Sequence, residues 1–168
     1  FFTQMYHGLY APVTYNAWAA LALVSQIIHG STANLDPTLF HLGNVFVHTL
    51  NTFLAFLILY VLFSNYWAAL VGGLFFALHP LQVEAVAWVS GLRDLMAGFF
   101  SLALLLLVIS SAITFDTWPR RKQILTLCLS VILFLFLIFS KIAASSVLLA
   151  CLALWCFIRR LPIGTRKV

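Results

Sequence analysis

Long apolar runs divide this chain, and no other feature narrows its fold as much. Runs at residues 39–63, 95–115, 123–140 and 142–158 are predominantly apolar, and the last three are separated by seven residues and by one. A helix needs about 20 predominantly apolar residues to cross the hydrocarbon core of a bilayer. These runs reach or approach that length. Of the 168 residues, 64% are hydrophobic and 8% charged, whereas soluble domains carry roughly 25% charge. A water-soluble fold of this size keeps a large share of its area exposed and has no place to hide so much apolar surface. With lipid as solvent the conflict disappears. The chain therefore reads as an all-α, polytopic transmembrane protein with about five or six membrane helices, one of them interfacial or spanning.

The remaining segments fit that plan. Residues 12–29 form the weakest run, interrupted by Thr14, Asn16, Ser25 and Gln26; the segment spans, re-enters or lies in the interface. A turn-rich stretch follows at 30–37, and a short turn at 64–66. The run at 67–79 is short for a span and stops at Pro80, whose ring removes a backbone donor and favours a break or kink. A polar patch at 82–94 holds Glu84, Arg93 and Asp94. The whole of 1–168 reads as a single transmembrane domain, with no room for a soluble one. The opening ten residues lack a basic start and a small-residue cleavage site, so they are not a signal peptide. Starting at Phe1, the chain reads as a piece of something longer. Cys128, Cys151 and Cys156 sit in apolar runs without paired spacing and read as small buried hydrophobes.

Lys and Arg in short loops orient membrane helices. Placing 64–66 in the cytoplasm also puts Arg120, Arg121, Lys122 and the tail residues Arg159, Arg160, Arg166 and Lys167 there. That is seven of the nine basic residues. Arg93 and Lys141 fall on the opposite side, with Asp36, Glu84 and Asp94. The net charge of +5 thus reads as a topology signal and as contact with anionic membrane lipid. The basic residues flank spans and form no continuous stripe, so nucleic acid is not an expected partner.

Four polar residues of the 39–63 run, His41, Asn44, His48 and Asn51, follow one another at i, i+3, i+7 and i+10. At about 100° per residue they occupy a sector of roughly 80°. Such a stripe faces other helices, bonding to them, or lines a water-filled cavity. His41 and His48 stand two turns apart, about 10 Å, too far to share a metal ion without ligands from elsewhere; no cofactor is evident, and the sequence does not decide whether a divalent metal is needed. Glu84 begins a helix after Pro80, as a solvated acid or as a wall of a polar cleft. Trp88 suits an interfacial anchor. Arg93 snorkels or binds a lipid phosphate. Asp94 is favoured at a helix start by the dipole. Lys141 stands between two apolar runs with no loop to carry it. A charge at a span's centre costs about 2.5–3.5 kcal/mol on insertion scales, so Lys141 either snorkels or points into a cavity and pairs with a phosphate or an acid. No nucleophile motif, phosphate-binding glycine loop, dinucleotide fingerprint or metalloprotease motif occurs.

Four blocks then stand in order: Tyr10-Ala11-Pro12-Val13-Thr14; Phe40-His41-Leu42-Gly43-Asn44 with His48 and Asn51; Ala77-Leu78-His79-Pro80-Leu81-Gln82-Val83-Glu84-Ala85-Val86-Ala87-Trp88-Val89 running to Arg93-Asp94; and Ser140-Lys141. Together they resemble the multi-pass GT-C glycosyltransferases, in particular the transmembrane O-mannosyltransferases with tetratricopeptide repeats and their bacterial relatives. The resemblance implies transfer of a sugar from a polyprenyl-phosphate-linked donor to a hydroxyl acceptor on the extracytoplasmic side, with a protein acceptor or other membrane subunits as partners. It implies that His41, Asn44, His48, His79, Arg93, Asp94 and Lys141 line the donor site, with Glu84 a candidate catalytic acid. The main acid is expected upstream of Phe1. An inner-membrane or endoplasmic-reticulum location follows from the same resemblance. The chain departs from the pattern at Ala11, where Arg is common, at Gly91 and Leu92, where polar residues are usual, and at Ile142. The competing expectation is a non-catalytic membrane subunit packed against a larger complex. A transporter fits less well, because no inverted repeat is visible.

Overall fold

A computed structural model describes residues 10–30 and 35–160. The opening residues, part of the 30–37 turn, and Arg166 and Lys167 lie outside them. The described residues form seven α-helices: α1 (Pro12–His29), α2 (Pro37–Phe63), α3 (Tyr66–Leu78), α4 (Leu81–Ala87), α5 (Leu92–Thr114), α6 (Arg120–Ser140) and α7 (Val147–Arg160). Short 3-10 turns connect α4 to α5, α5 to α6 and α6 to α7. The chain is an all-α polytopic membrane protein. Four segments are long and apolar enough to cross a bilayer, and a fifth is added if the bent pair α3–α4 counts as one span. The weak run of α1 is not among them.

Local chemistry sets the boundaries. Asp36 caps α2 by accepting from Thr38 N at 2.8 Å, with Pro37 at the first helical position, where its missing donor is not needed. Ser64 ends α2 in the left-handed conformation (φ 49). Asn65 immediately caps α3, accepting from Trp67 N and Ala68 N at 3.0 and 3.1 Å. Two residues thus reverse the chain. The α3–α4 break is proline chemistry: His79 is extended, as the residue before proline prefers, and α4 leaves at 59° to α3.

α5 is the central helix, packed against α2, α6 and α7. Ile58 of α2, Ile109 and Ala112 of α5 and Ile158 of α7 form a buried cluster flanked by Trp155. The α2–α3 hairpin closes tightly because Gly73 lies against the Phe56 backbone, where an added Cβ would stand 3.2 Å from Phe56 Cβ. Small residues serve this purpose in membrane bundles, where close backbone approach replaces the hydrophobic drive. Burial is unequal: 33% of the most apolar stretch of α5 is buried, but only 11% of that of α6 and 6% of that of α7. The outer helices therefore leave most of their apolar residues at least partly exposed on the outside of the bundle, an arrangement stable in lipid and not in water. The cysteines correct one expectation. Cys151 is buried, but Cys128 and Cys156 are exposed on the outer surface. An apolar sequence neighbourhood does not separate the inside of a membrane bundle from its lipid face.

Candidate active site

The four sequence blocks meet at one end of the bundle. The Tyr10 ring packs edge-on against Phe139, beside Ser140 (centroids 6.2 Å). Lys141 Nζ donates to Asp94 Oδ1 in an ion pair that joins the α6–α7 junction to the start of α5. Asn44 reaches from α2 to the end of α4. Between α1, α4 and the start of α5 lies a cleft of about 960 Å³. Thr14, Tyr15 and Trp18 of α1 form one wall, Glu84 and Trp88 the other, and Arg93 and Asp94 stand at the α5 end.

The polar stripe of α2 holds this end together. A helix that stops leaves its last carbonyls without intrahelical partners, and in a bilayer water does not supply them. Asn44, fully buried, donates from Nδ2 to both Val86 O (3.1 Å) and Trp88 O (2.7 Å) at the end of α4. His48 donates from Nε2 to Ala77 O (3.1 Å) at the end of α3. Asn51 Nδ2 donates to Leu95 O (2.9 Å) in the first turns of α5. Three side chains on one face of α2 thus grip the broken segment before the bend, after α4 and at the entry to α5. Gly91 completes the corner: a Cβ there would lie 2.0 Å from Ala85 O. This accounts for Gly91 and its neighbour Leu92, the two positions at which the chain departs from the expected polar pattern. Gly91 has no room for a side chain, and Leu92 is buried at 2% exposure.

The expected site residues separate into two groups. Glu84, Arg93 and Asp94 line the cleft, and Lys141 joins them through Asp94. His41, Asn44, His48 and His79 do not line it. His41 is exposed, Asn44 and His48 bond to backbone, and His79 Nδ1 accepts from Leu81 N (3.2 Å) at the bend. Within the cleft the charges differ in state. Lys141 and Asp94 neutralise one another while both stay part-exposed, at 37% and 41%. Glu84 is exposed and, among the described residues, forms no ion pair. Arg93 Nε is buried without a protein acceptor; leaving such a donor unmet costs about 1–3 kcal/mol, so it calls for a water, an ion or a ligand as partner. An open acid and a cation therefore face one aromatic-walled cleft. No trio of metal-binding side chains converges among the described residues.

The aromatic wall is what sequence reasoning missed. Tyr15 and Trp18 (centroids 5.9 Å) stand among Ala11, Ala19 and Ala22, all lining the cleft. The three-to-four spacing of small and aromatic residues along α1 was the available signal.

The chain is similar to the protein O-mannosyl-transferases. It is 33% identical over 82 residues to protein O-mannosyl-transferase Tmtc1 of Drosophila melanogaster, covering 49% of this chain and 10% of that protein. It is 33% identical over 93 residues to protein O-mannosyl-transferase tmtc2 of Xenopus laevis, covering 55% and 11%. With human protein O-mannosyl-transferase TMTC2 it shares 31% over 101 residues, covering 60% and 12%. The chain thus spans about a tenth of the length of these curated relatives. No family profile matches, and no solved structure does.

Proposed function

We propose that this chain forms part of a membrane glycosyltransferase that moves a sugar, mannose by similarity, from a polyprenyl-phosphate donor to a protein hydroxyl on the extracytoplasmic side. The observation that carries the reading is the cleft. Glu84, Arg93 and the Asp94–Lys141 pair converge on one aromatic-walled cavity at one end of a membrane bundle, in a chain similar to protein O-mannosyl-transferases. The orientation rests on the basic residues at the opposite end. In the proposed reaction the acceptor oxygen attacks the anomeric carbon and the bond from that carbon to the phosphate oxygen breaks. Polyprenyl phosphate leaves, and the acceptor proton passes to a carboxylate acting as base. Arg93 suits the phosphate, since a guanidinium binds such oxygens in a bidentate fork. Lys141 joins it when it releases or shares Asp94. Glu84 is the acid on the cleft wall. The principal base is expected upstream of Phe1, on the segment that the resemblance places there.

The second reading is a non-catalytic membrane subunit, for which the apolar faces that α6 and α7 leave exposed would offer a packing surface in place of lipid. The full-length protein in proteoliposomes, supplied with polyprenyl-phosphate mannose and an acceptor peptide, decides between the two. Glu84→Gln is expected to lower transfer by about 100-fold, within the usual range for positioned acid–base groups, and Arg93→Met and Lys141→Met by about as much, the range for groups that stabilise developing charge. Unchanged transfer by these variants, together with weakened assembly, supports the subunit reading.

A further inference from the structure

The opposite end of the bundle carries a cluster that the cleft does not use. The first turn of α6 consists of Arg120, Arg121 and Lys122, all exposed, with no acid in that turn and no side-chain cap. A helix N-terminus bears positive partial charge and favours anions, so three cations there run against the local rule. Among the described residues none of the three forms an ion pair. Asp116, the nearest acid in sequence, is one charge against three.

The cluster is built and braced. Gln123 Nε2 donates to Phe115 O (2.9 Å) and Trp118 O (3.2 Å), fixing the α5–α6 turn. Lys122 Nζ stands 3.8 Å from the centre of the Trp118 ring. The Phe115 ring lies between Trp118 (6.4 Å) and Trp155 of α7 (5.3 Å). Arg159 lies over Trp155 at 5.7 Å. A continuous aromatic bridge thus links the basic start of α6 to the basic end of α7.

We propose that this end is a binding site for the phosphate of an anionic phospholipid headgroup, held by Arg120, Arg121 and Lys122 with Arg159 at its flank. Three features favour lipid over a soluble anion. The cations sit at the ends of apolar helices. Trp118 and Trp155 are the residue type that settles at the headgroup level. The charge of the cluster complements an anionic leaflet.

The test uses the full-length protein reconstituted in phosphatidylcholine vesicles with trace spin-labelled phosphatidylglycerol or phosphatidylcholine. Electron spin resonance then reads the immobilised fraction of each lipid. The wild type is expected to favour phosphatidylglycerol, with a preference that falls as salt rises. Replacing Arg120, Arg121 and Lys122 by Gln is expected to reduce the preference by about fivefold or more, whereas replacing both arginines by Lys preserves it. Protease protection reports topology, and if the triple variant inverts, Lys122→Gln alone is read. Equal association of the two lipids with the wild type, or an undiminished preference in the Gln variant, overturns the proposal. So does inorganic phosphate that abolishes the preference where chloride at equal ionic strength does not, since the site then takes a soluble anion.

Discussion

The two ends of α5 solve opposite problems. At the cleft end the backbone is broken twice, and side chains from α2 supply the bonds that the breaks removed. At the basic end the backbone turns within a few residues, and the difficulty is charge, spread over aromatic rings. The first end is held by bonds that cross between helices at 2.7–3.1 Å. The second is held by ring contacts and one bridging glutamine. A broken helix in lipid needs partners from elsewhere in the fold, whereas an exposed cation finds water or headgroups for itself.

That contrast orders the expected effects. Gly91→Ala strikes hardest, because its Cβ meets the Ala85 backbone, which cannot move aside. A loss of about 3 kcal/mol, the upper end for overpacking, is expected in thermal unfolding in detergent. Gly72→Ala meets only the end of the Leu59 side chain and should be mild; equal losses at both sites would break the argument for a tight corner. Asn44→Leu comes next. It removes two bonds to the end of α4, each worth about 0.6–1.7 kcal/mol in a membrane, and it should lower transfer along with stability. If stability falls while transfer is untouched, the stripe supports the fold and not the cleft.

Asp94→Asn breaks the pair with Lys141. Because both partners are part-exposed, a stability change below about 1 kcal/mol is expected, with a larger effect on transfer; a large loss of stability would make the pair structural. Trp118→Leu comes last, with about 0.5–1 kcal/mol for an exposed cation–π contact and no effect on transfer. A guanidinium-chloride midpoint lowered as far as by Asn44→Leu would erase the distinction between the two ends.

The sequence by itself determined the solvent, the helices and the place of the breaks. Apolar run length selects lipid, and Asp36, Asn65 and Pro80 mark boundaries through chemistry confined to a few residues. It also placed Glu84, Arg93, Asp94 and Lys141 on one side, because alternation of spans needs only a count. What the tertiary structure decided was partnership. The spacing of His41, Asn44, His48 and Asn51 showed a common face but left open cavity wall or helix contact. Only the approach of α4 and α5 to α2 assigns Asn44, His48 and Asn51 to backbone carbonyls and leaves His41 exposed. The pairing of Lys141 with Asp94, the intolerance of a side chain at Gly91 and the exposure of Cys128 follow likewise from residues distant in the chain. Local rules act over one or two turns of helix, whereas burial and partners in a membrane bundle depend on which helix lies alongside.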